Sequence, residues 1–189
     1  MDLTEKVCVI TGASSGIGQS LSMKISLKGA TVVMAARRSS KLITIKEKIE
    51  NDGGRCIGIK TDITKKLECK HLIDETINLY GKIDILILGA GVSMWSPFED
   101  ITDISFFEDL MATNYSGAVH CIHAALPHLI SSKGMIVSCS TAQALVGFTN
   151  HSGYAASKHA LHGFLDTLDM ELNGKVQFLE ACLGWIRGT

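Results

Sequence analysis

The sequence lacks the features of a membrane-spanning, secreted or nucleic-acid-binding protein. Its 189 residues carry 18 basic and 19 acidic side chains, a formal charge of −1, so no basic excess attracts a nucleic-acid backbone or an anionic lipid surface. The longest uncharged stretch, Met135–Ser157, is rich in Ser, Thr, Asn, Gln and His, which a bilayer core would not accept. The segment Met1–Lys6 contains two acids and leads into a predicted strand, so it is neither a signal peptide nor an anchor. We therefore expect a soluble, cytoplasmic chain without a membrane segment, whose partners are small molecules or other proteins.

The sequence also has no closely spaced cysteines and few prolines. The six cysteines never form a CxxC pair, and several lie in apolar runs, which favours reduced core thiols, with a disulfide framework or a zinc site as the alternative. They are Cys8, Cys56, Cys69, Cys121, Cys139 and Cys182. Of the two prolines, Pro97 follows a strand, whereas Pro127 lies late in a long predicted helix, which it should bend or end.

Short β-branched or aliphatic runs alternate with longer amphipathic segments along the chain. Hydrophobic residues make up 46% of it and charged residues 20%, enough to fill the core of one domain spanning residues 1–189. The predicted strands are Val7–Ile10, Thr31–Ala35, Arg55–Lys60, Ile83–Leu88, Met135–Ser138 and Val176–Glu180. The predicted helices are Gly16–Lys28, Ser39–Asn51, Lys65–Tyr80, Asp103–Ile130 and His151–Leu172. This alternation is typical of an α/β fold with a doubly wound parallel sheet, which binds ligands at the carboxyl ends of its strands.

A glycine-rich turn, Thr11–Gly18, directly follows the first predicted strand. Gly12 lets the chain turn out of the strand, Gly16 lets the backbone approach a pyrophosphate, and Gly18 lets the helix pack close to the sheet. The free amides of the helix's first turn then face the phosphates. The segment therefore predicts a dinucleotide-binding turn rather than a plain glycine-rich connection, with contacts from Gly12, Ser14, Ser15, Gly16, Ile17 and Gly18.

The end of the second strand indicates which nucleotide is held. An acidic residue there would bind both ribose hydroxyls of NAD, but the sequence has alanine followed by Arg37 and Arg38. The guanidinium of Arg37 offers a planar fork to a 2′-phosphate, and Arg38 adds charge. NADP(H) is thus preferred over NAD(H), the alternative being two solvated arginines at a helix start.

Four motifs in this order resemble the short-chain dehydrogenase/reductase family. They are Thr11–Gly18, Asp62-Ile63, Asn114–Gly117 and Tyr154-Ala155-Ala156-Ser157-Lys158. The similarity runs to the last residue and is closest to NADP-dependent hydroxysteroid-dehydrogenase-like members. The resemblance implies a Rossmann-type sheet of six strands in the order 3-2-1-4-5-6, without the family's seventh strand. It also implies that Asp62 and Ile63 bind the adenine ring.

Tyr154 and Lys158 lie four residues apart on a predicted helix, so their side chains share one face. A neighbouring ammonium stabilises a phenolate, so Lys158 is expected to lower the pKa of Tyr154. The resemblance implies hydride transfer between the nicotinamide and a carbonyl carbon. Tyr154 would exchange the proton, Lys158 would also hold the nicotinamide ribose, and Asn114 would position a water leading to Lys158.

The fourth catalytic position of the family is a serine, and this chain has Thr141 there. A threonine still supplies a hydroxyl to polarise a carbonyl, although its methyl group stiffens the side chain. Ser140 and Ser138 are neighbouring alternatives.

After the fourth strand the family has Asn-Asn-Ala-Gly, but this chain has Leu88-Gly89-Ala90-Gly91. Ala90 and Gly91 would still let the backbone pass close to the cofactor. The missing amides remove hydrogen bonds that steady the central sheet. Met94, Trp95 and Phe98 suit either a lipophilic substrate mouth or ordinary core packing.

Two histidine pairs have helical ligand spacing, His120-x-x-His123 and His159-x-x-His162. Neither has an obvious third ligand in the sequence, so we predict helix-surface or interface histidines and no metal site.

The chain is expected to end early for this family. The tail Leu183–Thr189 falls where the family has the loop Pro-Gly-x-Val-x-Thr against the nicotinamide, with Leu183 in place of proline. Without the segments that follow in relatives, the sixth strand would be an exposed edge, and Phe178, Trp185 and Ile186 could lose their cover.

The sequence is compatible with two functions. The first is an active NADP(H)-dependent oxidoreductase acting on a carbonyl or secondary alcohol of steroid, retinoid or other lipid type. The second is a truncated, non-catalytic NADP(H)-binding member with a regulatory or partner-binding role. The helices Asp103–Ile130 and His151–Leu172 match those through which family members commonly dimerise, so a homodimer is compatible with either.

Overall fold

A computed structural model describes residues 2–184 and 186. Six parallel strands form one sheet in the order β3-β2-β1-β4-β5-β6. The strands are β1 Val7–Thr11, β2 Thr31–Ala36, β3 Arg55–Lys60, β4 Ile85–Leu88, β5 Met135–Thr141 and β6 Gln177–Leu183. The predicted strand order and Rossmann-type fold are therefore confirmed, and the winding reverses between β1 and β4.

Helices cover the sheet on both faces. They are α1 Gly16–Ser26, α2 Ser39–Asn51, α3 Lys66–Tyr80, α4 Ser105–Met111, α5 Gly117–Ser132 and α6 Ser152–Leu172. One apolar core lies between the sheet and α3, α5 and α6, and a second lies between the sheet and α1 and α2. None of the helices described is both long enough and apolar enough to cross a bilayer.

The long predicted helix before β5 is interrupted rather than continuous. A π-helical turn, Ala112–Ser116, joins α4 to α5. Pro127 does not end α5, which runs on to Ser132. Because Pro127 is exposed, water can bind the carbonyl that the missing proline N–H leaves without a partner.

Strand β5 extends three residues beyond its predicted end because it pairs with β6 over its whole length, from Met135↔Gln177 to Thr141↔Leu183. This pairing carries Thr141 to the carboxyl edge of the sheet. The expectation that Phe178 loses its cover is wrong, since its side chain packs against the α3/α5/α6 core. Leu179 on the opposite face is the exposed one, at 52%. Ile186 is also exposed, whereas Trp185 and residues 187–189 lie outside the described residues.

The amino end of the central strands is held by one carboxylate. Asp84, only 5% exposed, accepts hydrogen bonds from the Val7 amide at 2.9 Å and from Lys6 Nζ at 3.0 Å, and Lys82 Nζ lies 3.0 Å away. Burial alone would raise the pKa of Asp84, but the Val7 amide and the two ammonium groups outweigh it and hold the pKa below its usual value. Asp84 therefore ties β1 to the start of β4 through its charge.

We expect Asp84→Asn to lower the free energy of unfolding at neutral pH by about 2 kcal/mol, because the substitution removes the charge from a buried hydrogen-bonded group. The carboxylate contributes stability above its unfolded-state pKa of about 3.9 and loses it as pH falls through the lower folded-state pKa, so the two proteins should converge in acid. Urea unfolding across pH measures this difference. The matched control is Asp74→Asn, which breaks the exposed pair with Lys70 and should cost less than about 1 kcal/mol; an equal loss would contradict the role of Asp84.

Candidate active site

Two adjoining cavities open at the carboxyl edge of the sheet. The first, of about 330 Å³, is lined by every residue predicted to bind the dinucleotide outside the Tyr154/Lys158 pair: Gly12, Ser14, Ser15, Gly16, Ile17, Gly18, Arg37, Arg38, Asp62, Ile63, Ala90 and Gly91. The second, of about 400 Å³, is lined by Thr141, Tyr154 and Lys158. Ile17 and the segment 89–92 line both cavities. We call them the nucleotide cavity and the substrate cavity.

Glycines let two loops meet between the cavities. Gly12 has φ +69°, and a Cβ built on it would lie 2.7 Å from Ala90 Cα. A Cβ on Gly89 would lie 2.7 Å from the Thr11 carbonyl oxygen, and one on Gly18 would lie 2.5 Å from the Gly12 carbonyl oxygen. No side chain fits at these distances, so the three glycines create the cradle that a pyrophosphate needs.

The Thr11 hydroxyl joins β1 to the loop that follows β4. Its oxygen accepts hydrogen bonds from the Gly89 and Ala90 amides at 3.1 and 3.3 Å, and its O–H donates to the Ile87 carbonyl oxygen at 3.3 Å. Thr11 is 1% exposed. Side-chain hydrogen bonds from β1 therefore hold this loop, a role of Thr11 that sequence reasoning missed.

The amino end of α1 faces the nucleotide cavity. Ser15 precedes the helix, but its side chain makes no capping hydrogen bond, so the first-turn amides point at the cavity without that partner. Instead, the hydroxyls of Ser14 and Ser15 accept hydrogen bonds from Nη2 of Arg38, both at 2.9 Å. Arg38 thus fastens the end of β2 to the glycine-rich turn and places a guanidinium at the cavity wall.

The wall beyond β3 is formed by Asp62 and Ile63. Burial opposes ionisation of Asp62, but hydrogen bonds from the Thr64 hydroxyl and amide, at 2.8 and 3.1 Å, together with the nearby Arg37 charge, lower its pKa. The Asp62 amide donates to Glu68 Oε2 at 2.7 Å. Asp62 is therefore a fixed, charged acceptor at the expected adenine end of the cavity.

Tyr154 and Lys158 stand one turn apart on α6 at the substrate cavity. Lys158 Nζ lies 5.8 Å from the centroid of the Tyr154 ring and donates to the Cys139 carbonyl oxygen at 3.3 Å. Burial raises the pKa of Tyr154, so the expected lowering by Lys158 is wrong for the protein without ligand. Burial also lowers the pKa of Lys158, against the opposing effects of Cys139 and Glu180. Desolvation by burial is the largest cause for both groups, so it sets the direction of both pKa values.

Asn114 lies in the π-helical turn behind the cavity wall and is 1% exposed. Its Oδ1 accepts from the Val92 amide at 2.8 Å, and its Nδ2 donates to the Val92 carbonyl and to Ser157 Oγ, both at 2.9 Å. The side chain therefore joins the loop after β4 to α6 and does not line either cavity. Its expected role in placing a water stays a prediction.

Thr141 ends β5 and caps a short 3₁₀ turn, Ala142–Ala144. Its Oγ1 accepts from the Gln143 amide at 3.3 Å, which leaves its hydroxyl proton to be donated elsewhere. Of the two alternatives, Ser140 also lines the substrate cavity, whereas Ser138 does not. The structure thus brings Thr141 and Ser140 to the cavity with Tyr154.

Large apolar side chains form part of the lining of the substrate cavity. They belong to Phe148, Leu183 and Ile186. Met94 is buried, and its sulfur accepts from the Gly153 amide at 3.1 Å, so it serves as core. Trp95 is 66% exposed and packs edge-on against His151, which lines the cavity.

The histidine pairs do not act as pairs in the structure. Nδ1 of His120 lies 3.1 Å from the Ile63 carbonyl oxygen, and Nδ1 of His159 lies 2.8 Å from the Ala155 carbonyl oxygen. His162 instead joins Glu180 and Asp166, with its ring nitrogens 2.6 and 3.4 Å from the two carboxylates. The ligand atoms of these three lie within 4.8 Å of one another. Each ring nitrogen faces a different carboxylate, and these contacts, chiefly the hydrogen bond with Glu180, raise the pKa of His162.

Comparisons with known proteins agree with this geometry. The family model described as "short chain dehydrogenase" matches residues 6–189. An 11-beta-hydroxysteroid dehydrogenase-like protein of Arabidopsis thaliana is 40% identical over 98% of this chain and 60% of its own length, and an 11-beta-hydroxysteroid dehydrogenase of Pinus massoniana is 37% identical over 98% and 52%. The chain thus spans little more than half the length of these curated relatives.

Solved structures match the fold closely. A short chain dehydrogenase/reductase from Burkholderia phymatum in complex with NAD has a TM-score of 0.91 at 25% identity, covering 96% of this chain and 66% of its own. A metagenomic short-chain oxidoreductase in complex with NADP has a TM-score of 0.90 at 26% identity, covering 98% and 85%. With the family model matching nearly every residue, the chain belongs to the short chain dehydrogenase family.

Proposed function

We propose that the chain binds NADP(H) and interconverts a carbonyl group and a secondary alcohol of a lipophilic compound. The observation that carries this proposal is the wall that the two cavities share, Ile17 and the segment 89–92. A nucleotide lying along the first cavity reaches the second, where Tyr154, Lys158 and Thr141 stand. The dehydrogenase names of the curated relatives and the NAD and NADP of the solved structures support the same chemistry.

The residues of the nucleotide cavity fit a dinucleotide phosphate. The glycine cradle and the first-turn amides of α1 would hold the pyrophosphate, and Asp62 and Ile63 would bound the adenine. No carboxylate follows β2, and the guanidinium groups of Arg37 and Arg38 line the cavity there. An arginine fork matches a phosphate better than it matches a ribose hydroxyl, so we propose NADP(H) as the preferred cofactor.

Replacing Arg37 by alanine tests this cofactor preference, because Arg38 also holds Ser14 and Ser15 of the glycine-rich turn. We expect Arg37→Ala to weaken NADPH binding by roughly tenfold or more, because a charge-assisted hydrogen bond is lost, and to leave NADH binding almost unchanged. Fluorescence titration of both nucleotides measures the two dissociation constants. The matched control is Arg55→Ala, which removes a pair with Glu5 at the other end of the sheet. Equal weakening of NADPH and NADH would contradict the assignment.

Tyr154 supplies the proton in the proposed reduction. A bound NADPH would supply the hydride for the carbonyl carbon. The raised pKa of Tyr154 keeps the phenol protonated at neutral pH, so it can donate to the developing alkoxide. Thr141, with its proton available for donation, hydrogen-bonds the same oxygen, and Lys158 would hold the ribose hydroxyls of the cofactor. The apolar part of the cavity lining, Phe148, Leu183 and Ile186, suits a steroid, retinoid or similar lipid.

Tyr154→Phe separates catalysis from cofactor binding. We expect it to lower kcat about 10²–10⁴-fold for carbonyl reduction, because the general acid is lost, while the NADPH dissociation constant stays within about twofold. Because reduction needs the protonated phenol, the wild-type rate should stay flat from about pH 7 to 9 and fall as pH rises through the raised pKa. Following NADPH oxidation at 340 nm with ketones and quinones measures this; Tyr80→Phe, far from the cavities, is the control. Binding without turnover of any compound would favour the non-catalytic alternative.

Thr141 is tested by a pair of variants of similar size. We expect Thr141→Val to lower kcat by roughly 10²-fold, because a hydrogen bond to the developing oxyanion is lost, and Thr141→Ser to keep most of the rate. Thermal unfolding of both variants checks that the loss of the Gln143 cap has not disturbed β5. Full activity of Thr141→Val would instead assign the hydroxyl to Ser140.

A further inference from the structure

Two buried thiols face each other behind the nucleotide cavity. Cys69 on α3 and Cys121 on α5 are both 0% exposed, and their sulfur atoms lie 3.6 Å apart. Both helices pack on the same face of the sheet. A disulfide needs sulfur atoms about 2.05 Å apart, so the two sulfur atoms start in van der Waals contact and must move toward each other for a bond to form.

The other four cysteines are placed differently. Cys8 and Cys56 belong to the core on the opposite face, on β1 and β3, with β2 between them. Cys139 lies beside Lys158, and Cys182 is exposed on β6. Among the described residues, the sulfur pair of α3 and α5 is therefore the one arranged for an intramolecular bond.

The two thiols are not equivalent. The Cys121 thiol donates its hydrogen bond to the Cys69 sulfur, and this contact lowers the pKa of Cys69, although burial and the carboxylates of Asp62 and Glu68 oppose it. The same contact and burial raise the pKa of Cys121. Cys69 also lies in the first turn of α3, where the helix dipole favours a thiolate. Cys69 is thus the more readily ionised thiol of the two, which makes it the expected nucleophile toward an oxidant that reaches the pair, with Cys121 as the resolving thiol.

Ile63 connects this pair to the nucleotide cavity. The Cys69 sulfur lies 3.3 Å from the Ile63 carbonyl oxygen, to which it donates, and His120 Nδ1 lies 3.1 Å from the same oxygen. The Ile63 side chain is packed so tightly that a Cβ on Gly117 would lie 2.6 Å from its Cδ1. Ile63 itself lines the nucleotide cavity. Any movement of the Cys69 sulfur toward Cys121 therefore removes a support from the cavity wall.

We propose that Cys69 and Cys121 form a reversible disulfide under a hydroperoxide, and that this bond weakens nucleotide binding through Ile63. The inference goes beyond the proposed oxidoreductase activity, because it assigns a modification site and a form of regulation to side chains that the reaction does not use.

The chemistry balances with hydrogen peroxide as the oxidant. The Cys69 sulfur attacks one peroxide oxygen, the O–O bond breaks, and a sulfenic acid and one water form. The Cys121 sulfur then attacks the Cys69 sulfur, the S–O bond breaks, the S–S bond forms and a second water leaves with the remaining thiol proton. Two thiols are oxidised to one disulfide, and one peroxide is reduced to two waters.

The modification is tested on the full chain carrying Cys182→Ser, which removes the exposed thiol that would cross-link copies. After peroxide treatment of the folded protein, blocking of free thiols and digestion, mass spectrometry should find the Cys69 and Cys121 peptides joined, with two hydrogens fewer. Adding Cys121→Ser should leave Cys69 as a sulfenic acid that dimedone captures. The matched control, Cys56→Ser on the opposite face, should leave the disulfide yield unchanged. Recovery of both thiols unmodified at equilibrium with peroxide would overturn the proposal.

The coupling to the nucleotide is tested in both directions. We expect the oxidised protein to bind NADPH roughly tenfold more weakly than the reduced protein, with recovery on reduction by dithiothreitol. Thermodynamic linkage then requires saturating NADPH to shift the dithiol–disulfide equilibrium in glutathione buffers toward the dithiol by the same factor. Circular dichroism checks that the oxidised chain stays folded.

The outcomes are distinguishable from failure of the proposed function. A disulfide that forms without changing the NADPH dissociation constant overturns the coupling, as does unfolding on oxidation. If neither redox form binds NADPH, both the coupling and the proposed cofactor fail, and the peptide map alone then reports whether the thiols bond. A tenfold loss of affinity that reduction reverses, absent in Cys121→Ser, supports the proposal.

Discussion

The close approach of the chain leaving β1 to the chain leaving β4 is the constraint on which both cavities depend. The two backbones pass so near each other at Gly12 and Gly89 that a Cβ on either residue would collide with main-chain atoms at 2.7 Å. The Thr11 hydroxyl fastens the contact with hydrogen bonds to the amides of residues 89 and 90. This is also the point where the winding of the sheet reverses, so helices diverge to either face and leave the crevice in which a ligand can lie.

From that contact, a series of hydrogen bonds connects the loop after β4 to helix α6, which carries Tyr154 and Lys158. The loop that Thr11 holds continues to Val92, whose amide and carbonyl are both bound by Asn114. Asn114 in turn donates to Ser157 on α6, the residue directly before Lys158. Backbone groups and short side chains make each link, and short side chains lose less rotamer freedom when they are fixed than long ones do. The spacing between the nucleotide cavity and the Tyr154/Lys158 pair is therefore set by rigid contacts rather than by flexible surface loops, as a preorganised site requires.

Much of this arrangement could be predicted from the sequence, because its signals are local. Strands buried on both faces produce continuous apolar runs, which can be recognised in the sequence. The glycine spacing after β1 likewise indicates a close turn between a strand and a helix. The role of Thr11 was not predictable, because its partners at residues 87, 89 and 90 lie far along the chain. The extension of β5 to Thr141 depends on pairing with Leu183, and the contact of Arg38 with Ser14 joins two motifs that the sequence presents separately. Each of these needs the tertiary fold to bring distant residues together.

The pKa of Tyr154 also depends on the tertiary fold, which the sequence does not show directly. Helical spacing correctly places Lys158 on the same face, but spacing carries no information about burial, and burial decides the direction of both pKa values. The Lys158 ammonium has three donors, of which one is assigned to the Cys139 carbonyl oxygen. A buried charge with so few acceptors is costly, so a ligand that brings hydroxyl oxygens to this position gains more than its contact area implies. Such hydroxyl oxygens would satisfy the Lys158 ammonium and favour its charged form.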